Sequence, residues 1–154
     1  MKIALGSDHR GDETLKSLVP TLRGQGHEVI LVGPCDGTSR DYPEEAWLVA
    51  QAVASGRAER GILVCGSGIG VSIAANKVHG VRAALAYDEY AAEMCRKHND
   101  ANVLCLSGDG MSSVQVHRAV AAFLNSEFEG GRHLRRVNKI RAIERGEDPT
   151  KLAT

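Results

Sequence analysis

The sequence predicts an α/β protein: three layers built on a doubly wound, Rossmann-like sheet of about five parallel strands. Three observations predict it. Short, almost wholly apolar runs recur along the chain, as strands covered on both faces require. Between them lie stretches with helical spacing, long enough for the crossovers that parallel strands need. The size suits one such domain, because 154 residues, 43% of them hydrophobic, can bury one core but hardly two.

The strand candidates are Lys2–Ser7, Glu28–Val32, Gly61–Cys65, Arg82–Ala86 and Asn102–Leu106. Behind the first, Leu15, Leu18, Val19 and Leu22 form one helical stripe, which Pro20 is expected to kink or shorten. Pro43 stands where a helix can start and leads into Ala46, Trp47, Ala50 and Val53. Asp88 can cap a helix whose inner face is Ala91, Met94, Cys95 and His98. Ser112 and Gln115 have capping-box spacing ahead of Val116, Val120, Phe123 and Leu124. A basic helix follows from Arg132. Residues 1–145 read as a single domain, and 146–154 as a mobile tail.

Composition excludes several function classes. Lys plus Arg and Asp plus Glu balance at 19 each, which argues against nucleic-acid or anionic-membrane binding. No apolar run approaches the ~18 residues of a membrane span. The opening Met1–Leu5 turns polar by Ser7 and Asp8, unlike a signal peptide. Cys35, Cys65, Cys95 and Cys105 show neither C-x-x-C spacing nor a zinc-type pairing with histidine. They are expected to be reduced thiols in a cytoplasmic protein.

Ligands of open α/β sheets bind beyond the carboxyl ends of the strands, near the switch in strand order. That rule selects Ser7-Asp8-His9, the run from Cys65 to Gly70, and Ser107-Gly108-Asp109-Gly110. Cys65-Gly66-Ser67-Gly68-Ile69-Gly70-Val71-Ser72 reads as a strand ending in a glycine-rich turn that opens a helix. Such a turn can cradle an anion on backbone N–H groups and favour a thiolate at Cys65. It can equally be a tight turn beside a buried cysteine. A Walker A loop would need G-K-[ST], and a dinucleotide fingerprint belongs after the first strand. A cysteine-phosphatase loop would need arginine at position 71, which is Val71.

Asp8-His9 can cap the next helix or serve a site. His98 lies on an apolar helix face, yet Asn99-Asp100 follows and is expected to end that helix at the same sheet edge. Arg132 and Arg136 share one helix face. From Arg132 to Arg145 there are five arginines and one lysine against a single acid, Glu144, which suits a solvated helix or recognition of a phosphate monoester.

With these residues in view, the chain resembles the ribose-5-phosphate isomerase B family. The resemblance rests on Gly6-Ser7-Asp8-His9, Asp41-Tyr42-Pro43, the block from Cys65 to Lys77, His98-Asn99-Asp100-Ala101-Asn102 and Glu129-Gly130-Gly131-Arg132-His133, and it spans roughly residues 1–145. It implies an aldose–ketose isomerase that moves a proton between C1 and C2 of a sugar phosphate through an enediolate. Ribose 5-phosphate is the leading substrate, with a four- or six-carbon aldose phosphate as the alternative. A non-catalytic sugar-phosphate binder is the competing class.

By resemblance, Cys65 is the base and Ser67 helps proton traffic, while Gly66, Gly68, Ile69 and Gly70 line the enediolate. His98 acts on the ring oxygen and Asp8 on a hydroxyl. His9, Arg132 and Arg136 hold the phosphate, and Asn99 contacts the substrate. No metal or organic cofactor is expected. The resemblance further implies a homodimer or homotetramer with shared sites, in which the last helix docks on a neighbour through Leu134, Val137, Ile140 and Ile143. Asp109 stands where the family usually carries an arginine. Arg10 and Arg135 can compensate, or the substrate differs. Arg10, Tyr42 and Asp109 are thus candidate specificity residues.

Overall fold

The apolar runs do pair side by side. In a computed structural model that describes residues 1–152, the strands are β1 (Lys2–Ser7), β2 (Glu28–Leu31), β3 (Arg60–Cys65), β4 (Ala83–Leu85) and β5 (Val103–Ser107). They form one parallel sheet in the order β2-β1-β3-β5-β4. The four later strands differ from the expected limits by a residue at one or both ends. The helices are α1 (Asp12–Gly24), α2 (Tyr42–Ala54), α3 (Ile69–Ala75), α4 (Glu89–Asn99), α5 (Ser113–Asn125) and α6 (Arg132–Glu144).

Two cores flank the sheet, and the period of two along each strand divides the side chains between them. Ile3, Leu5, Ile62, Val64, Leu104 and Leu106 face α1, α4 and α5. Ala4, Leu63, Cys65, Val103 and Cys105 face α2 and α3. The chain therefore leaves β1 and β5 toward one face and β3 toward the other. The carboxyl end of β3 lies at a topological switch, where the loops part and leave a crevice.

The expected caps form. Asp88 accepts the Ala91 N–H at 2.7 Å, and Ser112 and Gln115 close a reciprocal capping box. Pro20 does not shorten α1, which continues to Gly24. Pro20 is on the exposed side, so the carbonyl it leaves without a helical donor can be hydrated.

The inner face of α4 differs from the expected stripe. Ala92, Cys95 and Arg96 are buried, whereas Ala91, Met94 and His98 are only half-buried. Arg96 covers apolar surface with its stem, and its guanidinium lies 5.9 Å from the centre of the Phe123 ring. Its Nη1 donates to the Ala101 carbonyl at 2.6 Å and to Asp100 at 2.9 Å, which makes the buried charge tolerable. Past α6, Asp148 caps a 3₁₀ turn at Pro149–Lys151. The last two positions of the expected tail lie outside the described residues.

Candidate active site

Cys65 ends β3 and is 4% exposed. Its Sγ accepts the Gly68 N–H at 3.1 Å. Gly68 has φ +76°, and a Cβ there would lie 2.9 Å from the Leu106 carbonyl. Only glycine permits this turn so close to β5. The exposed Ser67 accepts the Ile69 N–H on its hydroxyl at 3.2 Å, and its carbonyl accepts the Tyr87 hydroxyl at 2.7 Å. The Tyr42 ring lies against Gly70.

The β5 loop is tied to the β3 loop by the Gly108 N–H on the Cys65 carbonyl at 2.8 Å and the Ser107 hydroxyl on the Gly66 carbonyl at 2.6 Å. Asp8 is buried and accepts the Arg10 N–H at 3.0 Å in the turn ahead of α1, but it does not cap that helix, whose N-cap Gly11 has no side-chain bond, and His9 is exposed beside it. Arg10 reaches across the loop to Asp109, with Nε 2.9 Å from Oδ2. Asp8, His9, Arg10, Tyr42, Cys65–Gly70 and Asp109 thus meet at one sheet edge.

A buried network under this edge was not foreseen from sequence. Arg40, with its side chain 10% exposed, donates to the Ser7 carbonyl at 3.1 and 3.2 Å, pairs with Asp12, and lies 3.3 Å from Glu45 Oε1. Burial pushes the Asp12 carboxyl up, but the Ser7 hydroxyl, the Gly37 N–H and Arg40 together hold it below the ordinary value. Burial pushes Glu45 up, with Arg40 opposing. The Glu45 Oε2 is buried with no hydrogen-bond partner among the described residues. These residues are scattered over a strand end, two helices and a loop, with no periodic signal to unite them.

His98, Asn99, Arg132 and Arg136 do not join Cys65. A helix after a parallel strand runs back along the sheet, so α4 ends at the amino edge, and the expectation of a common edge fails. The Asn99 carbonyl accepts Arg82 Nε at 3.1 Å just ahead of β4, and Asn102 holds the Arg82 N–H just ahead of β5. Cys65, by contrast, pairs with Ser107 at the far end of β5. At about 3.3 Å per residue the two edges stand roughly 13 Å apart.

At the amino edge His98 and His133 stack with ring centres 4.1 Å apart and planes 2° apart. His133 is buried, and Arg132 Nε approaches its Nε2 at 3.3 Å. Burial, then the charges of His98, Arg132 and Arg136, push His133 below its ordinary value, against Glu129. Arg132, Arg136 and Asn99 are exposed. His98, Glu129 and His133 bring three possible metal donors within 4.8 Å of one another. The arginine on His133 and its neighbour Arg136 make that corner better suited to an anion than to a dication. Val137 and Ala142 of α6 are buried within the chain, whereas Leu134, Ile140 and Ile143 stay exposed.

The other cysteines are held as thiols. Burial pushes Cys95 up to about 11, and it raises Cys105 further. Burial and the neighbouring Asp12 raise Cys35. Among the described residues, no helix is long and apolar enough to cross a membrane.

A family model described as Ribose/Galactose Isomerase matches residues 3–140. Ribose-5-phosphate isomerase B of Escherichia coli is 44% identical over 143 residues, covering 93% of this chain and 96% of that protein. The structure of the Clostridium thermocellum ribose-5-phosphate isomerase B superposes with a TM-score of 0.93 at 46% identity, covering 95% of this chain and 99% of the other. The Mycoplasma genitalium ribose-5-phosphate isomerase B, solved with bound ribulose 5-phosphate, gives 0.90 at 42%, covering 94% and 96%. With 138 residues matched by the model and near-complete coverage by these relatives, this chain belongs to the ribose-5-phosphate isomerase B family and is a sugar-phosphate isomerase.

Proposed function

We propose that the chain interconverts ribose 5-phosphate and ribulose 5-phosphate in the cytoplasm, with Cys65 as the proton-transfer base. The observation that carries the reading is the placement of Cys65: a sulfur at the switch crevice that accepts the Gly68 N–H of a glycine turn. The thiolate takes the C2 proton of the open-chain aldose. The electron pair moves to form the enediolate, and the proton returns at C1 to give the ketose. Backbone N–H groups from Gly66 to Gly70 face the charge that develops on the oxygens, and the Ser67 hydroxyl relays protons between them. Asp8 holds a sugar hydroxyl and His9 contacts the phosphate. Every step is a proton transfer, so these side chains suffice without a metal or organic cofactor.

One chain supplies only half of this machinery. Ring opening by His98, the Asn99 contact and phosphate binding by Arg132 and Arg136 come from a second copy, whose amino-edge cluster sits against the first copy's glycine loop. The exposed Leu134, Ile140 and Ile143 then give α6 an apolar surface for that docking. The minimal active unit is a homodimer with two shared sites, and two dimers can pair as a tetramer. The galactose in the family description supports a second reading, a six-carbon aldose phosphate.

Ketose formation from a panel of four-, five- and six-carbon aldose phosphates tests the substrate. The highest kcat/KM is expected on ribose 5-phosphate, and a higher value on another sugar overturns that assignment. Cys65→Ala should lower kcat on the preferred sugar about 100- to 10,000-fold. An undiminished kcat removes Cys65 from the reaction.

A further inference from the structure

Arg10 leaves β1 and crosses the mouth of the glycine loop. Its backbone and side chain are seated by two glycines: a Cβ on Gly108 would lie 2.8 Å from the Arg10 carbonyl, and one on Gly66 would lie 2.8 Å from Arg10 Nε. Asp109 reaches the same spot from the β5 loop. Its own N–H is fixed on the Gly66 carbonyl at 3.1 Å, and its Oδ2 receives both Nε and Nη2 of Arg10. Both side chains are half-exposed, 57% for Arg10 and 48% for Asp109. The pair therefore lies at the solvent side of the crevice, one residue along the loop from Cys65.

A guanidinium carries five N–H donors in a fixed plane. Asp109 occupies one edge of that plane, and among the described residues the remaining donors have no partner. The charged part of a sugar phosphate is its phosphate, and a guanidinium fork matches phosphate oxygens better than it matches hydroxyls. A bare carboxylate at this position would repel that dianion. With its oxygen already shared with Arg10, Asp109 instead fixes the plane and direction of the cation. Resting on the isomerase reading above, we propose that Arg10 binds the substrate phosphate in the carboxyl-edge half of the site and that Asp109 is its positioning residue, acting through Arg10 rather than on the sugar.

The test is a double-mutant cycle on the full-length enzyme, with KM and kcat for ribose 5-phosphate and Ki for inorganic phosphate as the readouts. Arg10→Ala should raise KM and Ki about 10- to 150-fold, the worth of one charge-assisted phosphate contact, and change kcat little. Arg10→Lys should recover only part of the loss, because an ammonium keeps the charge without the fork. Asp109→Asn should raise both constants by a smaller factor, and should add nothing once Arg10 is alanine. Both residues are half-exposed, and a melting curve shows that each variant is folded. Unchanged KM and Ki in folded Arg10→Ala overturn the proposal. So does an Asp109→Asn effect that persists in the Arg10→Ala background, since Asp109 would then meet the sugar itself. A wild-type enzyme inactive on every sugar phosphate of the panel would instead overturn the underlying substrate reading, and the Kd for inorganic phosphate, measured by calorimetry on wild type and Arg10→Ala, would still judge Arg10.

Discussion

The two edges of the sheet are built by different means. At the carboxyl edge, the residues around Cys65 hang on backbone: the loops after β3 and β5 are hydrogen-bonded to each other, and glycines let them touch. At the amino edge, His98, Arg132, His133 and Arg136 project from α4 and α6, held by ring stacking and charge. Backbone contacts fix atoms for chemistry that tolerates little displacement, such as proton transfer at carbon. Long cationic side chains on helices suit the grip of a phosphate, whose charge is spread over several oxygens. On the function proposed above, the difference teaches that the chain divides its work between edges about as far apart as a strand is long, so that a complete site would need two copies.

The sharpest way to break this division is complementation. Cys65→Ala disables the carboxyl-edge half and His98→Ala the amino-edge half, and each homodimer alone should lose about 100- to 10,000-fold in kcat. If the halves come from different copies, a mixed dimer carries both lesions in one site and none in the other. Equal mixing with subunit exchange should restore roughly a quarter of wild-type activity, since half the dimers then carry one intact site of two. Activity that stays at the level of the single variants would mean that each site is built within one chain, and the two-copy architecture would be wrong.

A second, smaller effect tests the rigidity of the carboxyl edge. Arg40 ties the Ser7 carbonyl at the end of β1 to Asp12 and Glu45 beneath it. Arg40→Met leaves two buried carboxylates without their cation. Breaking such a group by removing one partner costs about 3–5 kcal/mol. The thermal midpoint at neutral pH should fall accordingly, and Glu45→Gln in the same background should recover part of the loss by removing one of the stranded charges. A melting curve unchanged by Arg40→Met would show that the network carries no net stability.

Much of this was legible from the residues. Recurring, almost wholly apolar runs disclosed the sheet, Asp88 and Ser112 disclosed two helix starts, and the strand-end rule found the crevice at Cys65. The tie between edges and residues was legible for loops that follow strands, because their position depends only on strand direction. It failed for His98-Asn99-Asp100, where the direction of the helix, not the residues themselves, decides the edge. Arg96 was missed because a buried arginine in a stripe of apolar residues looks like a break in the pattern, although its stem is apolar and its head is paired. The pairing of Arg10 with Asp109 joins residues 99 apart in sequence and depends on the absence of a side chain at Gly66, which sequence alone does not connect.

The smallest expected effect lies at the amino edge, and it is a pH dependence. Burial first, then the charges of His98, Arg132 and Arg136, push His133 below its ordinary value of 6.5, while Glu129 pulls the other way. The folded protein therefore binds fewer protons at this ring than the unfolded chain does. The sign follows: the stability of the neutral stack is fully present above about 6.5 and is lost as pH falls through the lowered value. Because His133 is packed against His98, a proton on the His133 ring sets a new cation inside the stack and beside two arginines, so the stack should loosen before the carboxyl edge does. Ring-proton NMR should show His133 titrating below 6.5, and His98→Gln should move its midpoint upward by removing one neighbouring charge. The reactivity of Cys65 toward a small alkylating reagent, corrected for its own pH dependence, should not follow the His133 titration, because backbone bonds hold its loop. A His133 midpoint at or above 6.5 would show that the ring is solvated or paired with Glu129 more strongly than with the cations. The amino edge would then be held by ion pairing, and its contrast with the backbone-built edge would rest on geometry alone.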